Sequence, residues 1–191
     1  IEAVEEICRE YGKAVYIKEM LSHRVGVIVT GTEVYEGRIM DKFGPVLTKK
    51  VEDYGCVLTE LTYAPDSIER IKAAIEGQIK AGAQIVLVSG GMSVDADDVT
   101  PSAISEVSDS IVTYGSPVLP GAMFMLGYKN DIPIIGIPAC GMYHKYTVFD
   151  LIFPRLLAGE AVTRRDITKL GHGGLCQNCE SCRYPECTFG R

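Results

Sequence analysis

Short apolar runs without polar alternation recur along this chain, at Val25–Val29, Ile85–Val88 and Ile134–Ile137. Runs of Val and Ile of this length read as strands buried on both faces. Between them the pattern turns helical. Leu47, Val51 and Tyr54 share a face after Gly44-Pro45, and Gly55 closes that helix. Val57–Leu61 reads as a second strand. Asp66 is the expected cap of the next helix, with Glu69 completing a capping-box pattern. Ile68, Ile71, Ile75 and Ile79 form its buried stripe, and Gly82 ends it. A further helix is expected from Pro101 to about Ser108, with Thr100 as N-cap and Pro101 at its first position. Ile111–Tyr114 reads as a short strand, and Met142–Leu157 as one long helix interrupted by Pro154. At the start of the chain, Ile1, Val4, Cys8 and Tyr11 share a helical face that Gly12 ends.

Strands alternating with helices predict an α/β fold, a three-layer α/β/α arrangement on a mostly parallel sheet with right-handed crossovers. After Gly159 the periodicity dissolves into a Gly- and Cys-rich segment. The expected organisation is a helical lead-in over 1–22, an α/β body over 23–160 and a small Cys-rich C-terminal appendage over 161–191. The chain opens on Ile1 rather than Met, which reads as a piece of a longer protein.

Charge narrows the partners. The net charge is −6, and the 19 bases are outnumbered by 25 acids. An acidic body argues against nonspecific binding to nucleic acid or an anionic membrane. No apolar stretch approaches the roughly 20 residues of a membrane span, and no signal-peptide pattern opens the chain. The expected compartment is the cytoplasm, where clustered cysteines favour metal over disulfides.

Chemistry concentrates in three loops that follow strands. Ser89-Gly90-Gly91-Met92-Ser93 leads into Asp95, Asp97 and Asp98 before the helix at Thr100-Pro101. A glycine pair lets backbone approach a ligand, and nearby carboxylates can hold a cation, so the pattern suggests a phosphorylated ligand with Mg²⁺. The first loop runs from Thr30-Gly31-Thr32-Glu33 to Asp41-Lys42, and the third is Pro138-Ala139-Cys140-Gly141 through Lys145. In open parallel sheets, ligands sit beyond the carboxyl ends of strands, so these loops should converge on one cleft. Arg38, Lys42 and Lys145 are candidate phosphate partners. Cys140 stands where a strand turns into a helix, a position that can lower a thiol pKa, with a small buried packing residue as the other reading. His144 follows it with no partner apparent in the sequence.

From Val25 to about Gly159 the chain resembles the molybdopterin-binding domain of molybdenum-cofactor biosynthesis proteins. The resemblance rests on Thr30-Gly31-Thr32-Glu33-Val34 with Gly37 and Asp41, on Ser89-Gly90-Gly91-Met92-Ser93 with Asp98-Val99-Thr100-Pro101, and on Pro120-Gly121-Ala122-Met123. The molybdotransferase branch, which inserts molybdate into adenylylated molybdopterin, is the nearer likeness. The adenylyltransferase branch, which uses Mg-ATP, is the other. A carrier that holds molybdopterin for a client molybdoenzyme is a third reading. The resemblance implies that Asp41 and Asp98 hold Mg²⁺ or orient phosphate oxygens. It also implies that Thr30, Gly31, Glu33, Gly90, Gly91, Ser93, Pro138, Cys140 and Gly141 bind the cofactor, with Tyr35 and Tyr143 able to stack on a pterin. It further implies a homo-oligomer. Two departures fall where metal insertion would be served. The family's Pro-Gly-Asn-Pro turn is Pro138-Ala139-Cys140-Gly141 here, and its Asp-Ser-Asn is Asp41-Lys42-Phe43.

The tail carries a separate signal. Cys176, Cys179, Cys182 and Cys187 crowd 12 residues in a C-x₂-C-x₂-C-x₄-C pattern. Four thiolates so placed suit Zn²⁺ or an iron–sulfur cluster. The run resembles a bacterial ferredoxin ligand set but differs after the third cysteine, where Pro185 precedes Cys187. His172 is a reserve ligand. A redox or regulatory role for the whole chain is the reading this tail would favour.

Overall fold

The computed structural model describes residues 1–11, 17–93, 95 and 97–190. Six strands form one sheet: β1 (Arg24–Thr30), β2 (Val57–Ala64), β3 (Ile85–Ser89), β4 (Ser110–Tyr114), β5 (Met125–Lys129) and β6 (Ile132–Ile137). Their spatial order is β2-β1-β3-β6-β5-β4. The first four in that order run parallel, while β5 is antiparallel to both β6 and β4. The uninterrupted apolar runs are the central strands, as expected. β1 is buried from Val25 to Thr30 and β3 along its whole length.

Alternate side chains of these strands supply two cores. On one face, Val25, Val27, Leu87 and Ile135 pack against Leu47 and Val51 of α3 (Phe43–Asp53) and Phe149 and Phe153 of α6 (Val148–Leu157). On the other, Ile28, Val86, Val88 and Ile134 meet Ile71 and Ile75 of α4 (Ile68–Lys80) and Ala103 and Ile104 of α5 (Thr100–Val107). The result is a three-layer α/β/α body. The remaining helices are α1 (Glu2–Tyr11), the short α2 (Thr32–Tyr35) and α7 (Arg164–Lys169). None of the described helices is long and apolar enough to cross a membrane. Ile1, Val4 and Cys8 on the expected face of α1 are exposed, and Gly12, its expected stop, lies outside the described residues.

Several element ends differ from the expectation, each for a local reason. Ser67, not Asp66, caps α4 by accepting from Arg70 N. Asp66 instead accepts from the backbone and hydroxyl of Thr32, tying the first loop to the end of β2. Thr100 is the first residue of α5 rather than its cap, because its hydroxyl is spent on Thr30. β5 has no counterpart among the expected strands. It forms a hairpin with β6 through Asn130 and Asp131, whose φ values of 48° and 64° are those of a type I′ turn. The long helix expected from Met142 is two pieces. Ala139–Met142 make a single 3-10 turn, and the chain restarts at Val148 under a Thr147/Asp150 capping box.

Pro154 sits inside α6. A proline there has no N–H for the carbonyl four residues earlier, which belongs to Asp150. The hydroxyl of Tyr184, from the tail, donates to that carbonyl at 3.3 Å. The tail therefore supplies the hydrogen bond that the proline withholds. It also lies against the body elsewhere. Leu119 N donates to Gly174 O at 2.6 Å and Cys176 N to Leu119 O at 2.8 Å. Val162, Ile167 and Phe189 are buried with the α3/α6 core. A Cβ on Gly174 would stand 2.1 Å from Pro117 O, so only glycine permits this approach.

Candidate functional site

Residues Val29, Ser89 and Ile137 are in register across β1, β3 and β6. Because the three strands are parallel neighbours, the loops after them leave one edge side by side, about 4.8 Å apart per strand. This is the shared edge that the strand pattern required. The first two loops close upon each other. Thr30 Oγ1 and Thr100 Oγ1 form a buried hydrogen bond at 3.0 Å, while Gly31 N ties the first loop to Ala64 O at the end of β2. Gly90 has a φ of 99°, and a Cβ there would lie 2.2 Å from Thr30 O. The glycine thus makes room for the chain's own carbonyl, a different use from the ligand approach expected of it.

Asp41 also serves its own chain. Its carboxylate accepts from Phe43 N and Gly44 N at the start of α3 and from the Tyr63 hydroxyl of β2. Burial, followed by this carboxylate, raises the Tyr63 pKa. Asp98 accepts from Ser93 N at 2.5 Å and so folds the second loop into a turn. Asp95 N donates to Ser93 Oγ in the same turn. Tyr114 lies near enough for the Asp98 charge to add to burial in raising its pKa. Asp95 and Asp97 are exposed.

The open space lies farther along the edge. A cavity of about 510 Å³ sits beyond β3 and β6, with Met92 and Ser93 on one side and Pro138, Ala139 and Cys140 on another. Leu119 to Met123 form a third wall, and Leu175, Cys176 and Asn178 of the tail a fourth. Of the expected cofactor residues, Ser93, Pro138 and Cys140 line this cavity. Gly141 lines an adjoining cleft with Lys50 and Tyr146. Thr30, Gly31, Glu33, Gly90, Gly91, Asp41 and Asp98 do not line it. The expected site is therefore divided between a closed part over β1 and an open part over β6.

The walls from Leu119–Met123 and from the tail were not assigned to the site from sequence. Pro120-Gly121-Ala122-Met123 was the signal available for the first. Gly121 has a φ of 128°, and a Cβ there would come within 2.4 Å of Val148 Cγ1 at the start of α6. Of the two readings of Cys140, burial outweighs the helix start. Burial pushes its thiol pKa up, against weaker opposing contributions from backbone groups at Cys140, Gly121 and Gly141. One 3-10 turn does not offset the loss of water.

Beside the cavity, α3, α6 and the tail meet at Asp150. Its side chain is 2% exposed and pairs with Lys50 Nζ at 2.5 Å. Asp150 also accepts from Thr147 N at 2.8 Å, and the Tyr54 hydroxyl approaches it at 3.4 Å. Burial first, then the Asp150 charge, holds the Tyr54 phenol protonated well beyond its ordinary range. Lys50 Nζ also donates to Lys145 O at 2.8 Å, steadying the segment after Cys140. Asp150 was not singled out in the sequence, although Thr147-x-x-Asp150 is a readable capping box.

All four tail cysteines are free thiols, and all four line a second cavity of about 180 Å³. His172 lines a separate cleft with Glu186 and Cys187. Among the described residues, no three His, Cys, Asp or Glu side chains stand close enough to share one metal ion.

A layered parallel sheet with a ligand-sized cavity beyond the carboxyl ends of its central strands defines an α/β small-molecule-binding domain. The family described as a probable molybdopterin binding domain matches residues 26–158, and the chain belongs to that family. Among curated relatives, a CinA-like protein of Mycobacterium leprae is 34% identical over 86 residues, which cover 45% of this chain and 20% of that protein. The match thus spans about a fifth of that relative's length. A molybdopterin biosynthesis moea protein from Pyrococcus horikosii aligns with a TM-score of 0.57 at 27% identity, covering 72% of this chain and 35% of that one. The molybdopterin biosynthesis enzyme MoaB from Thermus thermophilus aligns with a TM-score of 0.59 at 17% identity, covering 72% and 98% respectively, a likeness of fold alone.

Proposed function

We propose that this chain binds the pterin and phosphate of molybdopterin in the cavity beyond β3 and β6 and acts in molybdotransferase-like insertion of molybdate into the adenylylated form. The single observation behind this reading is the position of the cavity, which opens at the carboxyl edge of a domain in the molybdopterin-binding family, beside the Ser93–Asp98 turn. Its walls are mainly apolar, as a ring system requires, with Ser93, His144 and Asn178 as the polar groups that would orient it.

Magnesium suits the acidic turn. The ion commonly takes one or two carboxylates and completes its shell with water and ligand phosphates, so it does not need a cage of protein side chains. Asp98 is the candidate ligand, with Asp95 and Asp97 in reserve. Asp41 is better described as a positioning residue, since its carboxylate already serves three donors of its own chain. When bound, Mg²⁺ would supply charge neutralisation at the phosphates. This chain's residues would bind the pterin, hold the phosphates in line and exclude water with Leu119, Pro138 and Leu175.

A carrier role is the second reading, favoured by the Pro138-Ala139-Cys140-Gly141 turn and by the burial that holds the Cys140 thiol protonated. Anaerobic titration with molybdopterin, followed by addition of molybdate to the adenylylated form, separates the two. Binding with Mg²⁺-dependent release of adenylate supports the transferase, and binding without turnover supports the carrier. An absence of binding in the folded protein contradicts both.

A further inference from the structure

The four tail cysteines lie outside the family match, which ends at residue 158. We propose that Cys176, Cys179, Cys182 and Cys187 hold a four-iron, four-sulfide cubane cluster within the cavity they share. This inference does not depend on the pterin reading.

Three observations carry it. The first is the distribution of the thiols. All four line one cavity, so four thiolates can converge there on a single group. A zinc site needs its sulfurs at about 2.3 Å from one centre, hence about 3.8 Å from each other. A cubane takes its thiolates at its outer corners, around a body of eight atoms. The second is size. A cavity of about 180 Å³ is several times the space that one water needs. That volume accommodates a multi-atom core.

The third is spacing. Structural zinc sites typically draw ligands from two separate pairs joined by a longer loop. Here Cys176, Cys179 and Cys182 form two overlapping C-x₂-C units that share the middle cysteine, an arrangement suited to three corners of one cluster. Asn178 has a φ of 50°, which turns the chain between the first two cysteines. Cys187 follows between Tyr184, whose ring lies against Tyr146 at 4.3 Å between centroids, and buried Phe189.

The lining also suits the charge. Four thiolates around a dicationic core leave a net anion, and Lys145 and Arg183 both line the cavity. The aromatic rings of Tyr146, Tyr184 and Phe189 line the cavity, while Cys179 and Cys182 are exposed and leave it an open side. A cluster so placed would be reached by oxygen through that open side. It would also form part of a wall of the larger cavity, because His144, Leu175, Cys176 and Asn178 line both.

The test is anaerobic reconstitution of the full chain with ferric iron, sulfide and excess dithiothreitol, the thiol supplying the electrons for the mixed-valence core. A parallel sample receives zinc. The expected product is brown, contains about four iron and four sulfide per chain, bleaches with dithionite and loses colour in air. Cys179→Ser and Cys182→Ser, both at exposed positions, should each lower bound iron more than twofold. Cys8→Ser on α1 should leave it unchanged. Circular dichroism checks that each variant stays folded. A colourless protein that keeps one zinc against excess iron and sulfide would overturn the proposal. So would iron binding that survives the double Cys179/Cys182 substitution, or a folded chain that takes up neither metal.

Discussion

Over β1 the sheet edge is filled by its own chain. Thr30 meets Thr100, Gly90 admits the Thr30 carbonyl, and Asp41 is committed to the start of α3. Over β6 the same edge is open, and its walls come from distant segments, Leu119–Met123 and the tail. The residues that most resemble the family's motifs lie largely in the closed half, while the space lies in the open half. Motif residues on this edge therefore do two jobs. Some shape loops by satisfying backbone groups, and others line the cavity.

The contrast can be broken at several points. The largest effect is expected at Asp150, which anchors the open half. Asp150→Ala leaves Lys50 facing a buried void and removes the α6 capping box, so it should cost about 3–5 kcal/mol in chemical denaturation. Adding Lys50→Met should recover part of that loss. In the closed half, Gly90→Ala places a Cβ against Thr30 O at an unfavourable φ and should cost about 2–3 kcal/mol. Filling the cavity tests the open half without disturbing the core. Ala122 is exposed at the cavity wall. Ala122→Phe should weaken molybdopterin binding about tenfold, or about 1.4 kcal/mol, while stability changes by less than about 0.5 kcal/mol. A substitution that destabilised the fold as much as Gly90→Ala would show that the open half is packed after all.

Smaller effects sharpen the picture. Thr100→Val removes one partner of a buried hydroxyl pair and should cost about 1–2 kcal/mol by thermal melting. The weakest prediction concerns pH. Asp166 accepts from the hydroxyl and backbone of Thr163 and pairs with Arg155 at 3.2 Å. These contacts, led by the Thr163 hydroxyl, hold its pKa at about 2. A lowered folded-state pKa means this stabilisation is present above the unfolded value, about 3.9, and is lost as pH falls through about 2. Melting temperature should therefore fall between pH 4 and 2 more steeply in the native chain than in Asp166→Asn.

Much of the body was legible because its central strands are buried on both faces, and continuous Val and Ile runs carry that signal. β5 was hidden because Met125-Leu126-Gly127-Tyr128 lacks such a run and its turn is Asn130-Asp131 rather than a glycine pair. The break before α6 was hidden because apolar spacing continues across Tyr143–Tyr146 while the capping box restarts the helix at Thr147. The tail's packing was hidden for another reason. Besides the isolated apolar anchors Val162, Ile167 and Phe189, it is held by backbone pairs to Leu119 and one phenol serving a proline-exposed carbonyl, and none of these leaves a periodic trace. For the site, the strand order placed the three loops on one edge, but no local pattern showed that the first two fill each other's space. The wall at Leu119–Met123 comes from the segment before β5, a strand the apolar pattern did not mark.

Amide hydrogen exchange of the full chain with and without molybdopterin, under anaerobic conditions, addresses the location of the ligand most directly. Slower exchange is expected around Met92 and Ser93, from Leu119 to Phe124, from Ala139 to His144 and from Leu175 to Asn178. Protection confined to Gly31–Lys42, with the segment from Leu119 and the tail unchanged, would place the ligand over β1 and contradict the account.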